Sequence, residues 1–420
     1  MRLLFVVIAL GGLLYFLFKK RRFDFFSVAY FSALVYFMPG FLGYALHPPT
    51  DVTPEPQPIE LVAEVYVIMA VVLLSILLGV VVYDLFVVKH EKKVKLVGSQ
   101  FTPHVALVLA CSGFLLSIFT VGSILFLPQK NIVIAELNRW HILWVTGASV
   151  GVVISFAQKK WPIFSACLFL LLFDVYTGFR STLAMSLIAI FTIWLSSKGS
   201  QRLTISSWKA GVIGLFCALF LFVYKFMYRL VKKGEWLLAL SQLLNSDFYL
   251  QSIAKSEPFT TQAILNEIIR ADLKVGLTHF KGVAYQFIFF SKELGADLTS
   301  FNQLFQPKLF PGVAGGMASN IWAEMWSSGG WPLLFIFILF FVITLAVGSK
   351  CLLLDDPVLK GGLALLFSYW AFYIHRNDLL FQVNLEKRVL FIWAISFLTS
   401  FLIWAFFRSR TESSAFRELT

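Results

Sequence analysis

Cysteine and charge are what this sequence has least of. Its four cysteines (Cys111, Cys167, Cys217 and Cys351) are scattered in or beside apolar segments. That leaves neither a disulfide framework nor a thiolate metal spacing. Charged residues make up 14% against 59% hydrophobic, and the mean hydropathy is +0.80, values that exclude an ordinary soluble globule. The net charge of +12 does not point to nucleic acid, because most of the basic residues stand at the ends of apolar segments. No internal repeat is visible, which counts against an inverted-repeat transporter. His47, His90, His104, His141 and His375 fall into no ligand spacing. No cleavable signal peptide is expected at the start: the basic cluster Lys19 to Arg22 follows the first apolar run instead of preceding it, and no small-residue cleavage site is evident.

What the sequence has in abundance is apolar runs of about 20 residues, the length that crosses a bilayer as a helix. They predict an all-α polytopic membrane protein, residues 1–420 forming a single transmembrane domain. About eleven spans are expected, at roughly 3–18, 24–46, 61–88, 104–127, 142–158, 161–179, 182–197, 208–228, 331–349, 361–376 and 388–407. Alternate gaps hold Lys19, Lys20, Arg21 and Arg22; Lys89, Lys92, Lys93 and Lys95; Lys159 and Lys160; Lys198 and Arg202; Lys350 and Lys360; and Arg408 and Arg410. All six gaps fall on one side, which the positive-inside rule makes cytoplasmic. The N-terminus is then expected outside and the C-terminal tail inside.

The opposite side carries the unusual features. "HPPTDVTPEPQPIE" reads as an extended proline-rich connector. "LPQKNIVIAELNRW" reads as a surface-lying turn of helix, with Arg139 and Trp140 at the interface. Residues 229–330 form one long excursion, the kind of segment in which function concentrates. Within it, "TTQAILNEIIRADLKV" places Ile264, Leu265, Ile268, Ile269 and Leu273 on one face, with Asn266, Glu267, Arg270 and Lys274 mostly away from it. That is an amphipathic helix lying on the membrane or over a cavity. "QPKLFPGVAGGMASN" is a Pro/Gly-rich segment suited to lining a groove.

Cations on this side run against the statistical bias. Arg180, Arg229, Lys232, Lys233, Arg270, Arg376, Lys387 and Arg388 all map there. Individually each has a bland explanation, snorkelling from a helix end to lipid headgroups, above all for Lys232 and Lys233. Together they favour a shared anionic ligand. Arginine's planar fork suits phosphate, and Arg180 in "LFDVYTGFRSTLAMSLIAIF" and Arg376 in "FYIHRNDLLFQVNLEKRVLF" come from spans far apart in sequence. Asp174 is an intramembrane acid; its offset of six from Arg180 puts the two on different helix faces, so it is expected to pair with another span. Glu324, His279, Glu257 and Asp297 are candidate proton acceptors. Glu324 stands beside Asn320, Trp322 and Trp326, where aromatic rings can stack on sugars or simply form an interfacial belt.

This layout resembles the Wzy-type O-antigen and enterobacterial-common-antigen polymerases, a GT-C-like group that also takes in the O-antigen ligases. The anchors are "GFRST", the large late outer loop, "NIWAEMWSSGGWPLL" and "HRND…EKRVLF". An arginine–ten residues–glycine pattern of some members is missed by one position, Arg270 being followed by Gly282. The resemblance implies transfer of an undecaprenyl-pyrophosphate-linked glycan onto the non-reducing end of another lipid-linked repeat unit. The reaction would take place at the periplasmic face of the bacterial inner membrane, with a chain-length regulator as a possible partner. The residue reading fits that chemistry, with Arg180, Glu324 and His279 expected to be catalytic and Arg229, Arg270, Arg376, Arg388, Asp174 and Trp322 to bind substrate. Asp51, Glu55 and Glu60 are spread through a proline-rich connector, a poor metal-ligand geometry. A metal-free site without cofactor is therefore expected. A ligase making a single transfer to a lipid A core, or a lipid-oligosaccharide flippase, is the alternative.

Overall fold

In hydrocarbon a backbone must satisfy its own hydrogen bonds, so long apolar runs become helices. The computed structural model describes residues 1–18, 23–49, 55–86, 96–197, 205–288, 295, 298–313 and 317–417. Among them seven helical segments are long and apolar enough to cross a membrane: Ala63–Phe86, Ser99–Phe126, Arg139–Ala157, Gly211–Lys232, Ile321–Cys351, Pro357–Arg376 and Leu379–Ser409. Four shorter apolar helices, Arg2–Phe18, Phe25–Tyr36, Trp161–Thr177 and Ser181–Ser196, stand at the remaining predicted spans. Strand is confined, among the described residues, to one antiparallel pair, Tyr44–His47 with Gln57–Glu60.

The Arg139–Ala157 helix lies at the centre, buried along most of its length. Small residues let its neighbours approach. A Cβ on Gly113 would come within 2.5 Å of the Trp144 backbone nitrogen, and one on Gly147 within 3.0 Å of that of Ala110. Small residues at crossings are how membrane helices pack when water no longer drives them together.

One end of the bundle gathers gaps that the charge pattern assigns to a single side. The Leu96 N–H donates to Asp356 Oδ2 at 2.9 Å, Phe101 N–H to Ser400 Oγ at 3.1 Å, and Gln158 Nε2 to Ser99 O at 3.3 Å. The basic clusters at 19–22, 89–95 and 198–202 lie outside the described residues. The hairpin, the helix Glu257–Arg270 and the 178–180 turn gather at the opposite end.

Three local expectations change. The predicted span 24–46 ends as a helix at Tyr36, because Pro39 cannot continue the hydrogen-bond ladder. A short helix Met38–Leu42 then closes on Gly43 at φ +93° and leads into the first strand. The "HPPTDVTPEPQPIE" connector includes the second strand, although Asp51 lies outside the described residues. Finally, Asn266 points inward. It is fully buried, accepts from Val62 N–H at 2.9 Å and donates to Glu60 O at 3.2 Å, tying the amphipathic helix Glu257–Arg270 to the hairpin.

The long helix Ile321–Cys351 begins well before the predicted span at 331. It breaks at Gly329–Gly330, where Gly330 takes φ +62°. Asn320 caps it by accepting from Trp322 and Ala323 N–H, and donates to Thr261 O at 2.9 Å.

Candidate functional site

Arg180 sits where one apolar helix turns directly into the next. Trp161–Thr177 closes on Gly178 at φ +105°, whose N–H returns to the preceding turn while Phe179 N–H reaches Asp174 O at 3.1 Å. A side chain at 178 would be strained by that φ and would crowd the Tyr228 ring at 3.3 Å. Arg180 therefore emerges immediately ahead of Ser181–Ser196, at the mouth of a cavity of about 410 Å³.

Five cations, from this turn and three other parts of the fold, line the cavity. Lys225 and Arg229 project one turn apart from the end of Ile205–Lys232, Arg376 ends the 3-10 turn Tyr373–Arg376, and Lys130 opens the short helix Lys130–Glu136. The one acid in the lining is Glu257, at the start of Glu257–Arg270. Three of the cations meet on it. Arg180 Nη2 lies 3.4 Å from Glu257 Oε1, Lys225 Nζ lies 3.5 Å from the same oxygen, and Arg376 Nη1 bonds to Oε2. Arg180 Nη1 also donates to Leu221 O at 2.8 Å, and the Arg376 guanidinium lies over the Tyr373 ring at 4.7 Å.

Electrostatics follow from that crowding. Burial pushes the Glu257 carboxyl up, but Arg376, Lys225 and Arg180 outweigh it and hold it at about 2. Burial, then repulsion from Arg180 and Arg376, brings the Lys130 ammonium down to about 8. Side-chain exposures of 22–30% for the ion-paired groups leave the cluster partly screened. Its value lies in charge held ready more than in stability.

Lys232 builds the scaffold behind the site. Its ammonium does not snorkel to the membrane surface: it donates to Leu125 O, Leu127 O and Thr177 O at 2.8–3.0 Å. All three of its protons are used, pinning the helix end, the 122–127 turn and the Arg180 turn together.

The other candidates separate from this cavity. Asp174 is buried and meets His141 Nε2 at 2.9 Å, a partner on another apolar helix. His279 and Glu324 do come together, Nε2 to Oε1 at 3.0 Å, but inside the protein, where Glu324 Oε2 also accepts from Leu379 N–H at 2.8 Å. Neither lines the cavity. Trp322 is fully buried between Phe337, Phe341 and His375, and its Nε1 donates to His375 Nδ1, so no face of the indole is open to a sugar. Arg270 pairs with Glu267 at 3.5 Å at the far end of the helix that starts with Glu257, about 20 Å away at 1.5 Å per residue. Arg388 lies near Tyr369 and outside the cavity lining. Asp297 lies outside the described residues. Among the described residues no group of three His, Cys, Asp or Glu side chains is placed to hold a metal ion.

Lys225 and Lys130 are the site residues that the sequence reading did not single out as ligands. Lys225 hides inside "LFVYKFMYR", and the signal that could have found it is its four-residue spacing to Arg229, which puts both on one helix face. Comparison with protein-family models, with curated proteins and with solved structures gave no match to this chain.

Proposed function

We propose that this chain is a metal-independent polysaccharide polymerase that crosses the bacterial inner membrane about eleven times, with its cavity at the periplasmic face. In this reading it transfers a glycan from undecaprenyl pyrophosphate to the non-reducing end of another lipid-linked repeat unit. The observation that carries the proposal is the convergence of Arg180, Lys225 and Arg376, with Lys130 and Arg229, on one cavity at the ends of apolar helices. A glycosyl donor outside the cytoplasm carries its activation in a lipid phosphate. When the anomeric carbon–oxygen bond breaks, the pyrophosphate takes the bonding pair. Preorganised guanidinium groups in a partly dry cavity stabilise that developing charge where water would have to reorganise. Arginine adds a planar fork matched to two phosphate oxygens.

The test is reconstitution. Purified protein in nanodiscs receives its lipid-pyrophosphate-linked repeat unit, extracted from cells, with no nucleotide sugar, ATP or added metal. The expected product is a ladder of lipid-linked glycans rising by whole units, with undecaprenyl pyrophosphate released at each step and little effect of a chelator. Extension that begins only when a lipid A core is added, and then stops after one transfer, identifies a ligase. Movement across the bilayer with no new covalent species identifies a flippase. Folded protein that gives no ladder from its cognate unit sinks the polymerase.

A further inference from the structure

Glu257 is the feature of the cavity that anion binding alone does not call for. A carboxylate is the wrong sign for a phosphate site, yet it sits in the lining and engages three cations from three different elements. Arg180 has one terminal nitrogen committed to Leu221 O and directs the other to Glu257. Lys225 reaches the same oxygen, and Arg376 turns a terminal nitrogen to the second. The donors that would clasp a phosphate are therefore already directed at a carboxylate. A phosphate oxygen and a Glu257 oxygen cannot both occupy the same short approach to these nitrogens.

We infer that Glu257 is an internal competitor for the anion site and sets its valence threshold, an inference that rests on reading the cavity as a pyrophosphate site. Binding exchanges the Glu257 carboxylate for phosphate oxygens on Arg180, Lys225 and Arg376. Three positive charges face one negative charge in the immediate cluster, and Lys130 and Arg229 add two more to the cavity wall. A diphosphate brings enough charge to win that exchange. A monovalent anion brings no more than Glu257 already supplies, and it also pays the entropy of association that a tethered carboxylate does not. Glu257 thus keeps the site closed to carboxylates and phosphodiester headgroups, which are plentiful at a membrane surface, and open to a lipid pyrophosphate. The competitor also restores the site after turnover, since the tethered carboxylate is on hand to displace the departing product.

The experiment is calorimetric titration of the full-length protein, in nanodiscs of zwitterionic lipid, with inorganic pyrophosphate and separately with dimethyl phosphate, a monoanion. The Glu257→Gln variant is expected to bind pyrophosphate about tenfold tighter than the native protein, the factor for one released charge-assisted hydrogen bond. It should also acquire measurable affinity for dimethyl phosphate. Equal or weaker pyrophosphate binding in Glu257→Gln overturns the competitor, because a carboxylate that only neutralises its neighbours would leave a distorted and weaker site. If Glu257→Gln does not fold, Lys225→Gln is compared with Lys225→Gln/Glu257→Gln, which removes one charge of each sign. The pair is expected to show the same tightening, and its absence overturns the inference. The two readings fail differently. No pyrophosphate binding by the native protein or any variant removes the pyrophosphate site itself. Native binding that Arg180→Gln abolishes and Glu257→Gln leaves unchanged removes the competitor alone.

Discussion

The guanidinium of Arg180 does two things at once, holding a backbone carbonyl on one side and facing a shared carboxylate on the other. Such a fork is not replaced by a point charge. Arg180→Ala is expected to abolish polymer in cells without lowering the protein level, and Arg180→Lys to restore little of it, as read on a glycan gel with an immunoblot beside it. Normal chain length in the alanine strain would take Arg180 out of the mechanism. Lys130 makes a second residue-level prediction. Its folded value is lowered to about 8, so the ammonium is present below that pH and lost above it. Pyrophosphate affinity should therefore fall as pH rises from 7 to 9, and Lys130→Arg should flatten the profile because arginine keeps its charge. A native profile already flat over that range would place Lys130 outside the anion's reach. Sequence alone put Arg180 with Arg376 or Arg388, all at apolar span ends on one side; the structure brings Arg180 and Arg376 to the same carboxylate and leaves Arg388 out of the cavity lining. It placed His279 and Glu324 at the same face but could not see that they hydrogen-bond to each other in the interior.

At the scale of elements, what was legible is what local periodicity controls. Seven of the expected spans hold helices long and apolar enough to cross a membrane, and the other four hold shorter apolar helices, because apolar runs satisfy their backbone in lipid by coiling. The hairpin was not legible. Its strands are four residues each, the second contains Pro58, and their pairing depends on partners ten or more residues away. The inward turn of Asn266 was missed for the same reason: its partner is the hairpin, not its own helix. Asn266 satisfies Val62 N–H and Glu60 O together. Asn266→Leu, similar in size but without the amide, is expected to cost about 1–3 kcal/mol by leaving both groups unpaired. A chemical denaturation curve in detergent measures this, and an unchanged midpoint would mean that water replaces the amide at no cost.

For the whole molecule the strongest sequence argument was the one-sidedness of the basic gaps. The described gaps at 96–101, 158–160 and 356 gather at one end, and the cavity lies at the other. With the proposed orientation, a cysteine at Asp247 in a cysteine-free background is expected to react with an impermeant thiol reagent applied to whole cells from the periplasmic side. One at Val97 should react only after the membrane is opened. The reverse pattern would turn the molecule over and move the cavity to the cytoplasm. Why five cations rather than two make the site is a tertiary fact: Lys232 ties the helix end that bears Lys225 and Arg229 to the 122–127 turn and to the turn before Arg180, and Glu257 comes in from a separate helix.

The helices Trp236–Leu243 and Ser246–Ala254 and the Leu244 cap between them expose Leu237, Leu240, Leu244 and Leu250, and they pack through Ala239, Leu243 and Phe248 on the stem that bears Lys225 and Arg229. Under the proposed function, a greasy shoulder of this kind beside a charged cavity would let the lipid-linked substrate arrive sideways, its tail still dissolved in the bilayer. Concentration for such a protein is a surface density. Diluting its vesicles with buffer should leave the rate unchanged, whereas diluting the substrate with inert lipid should slow it in proportion.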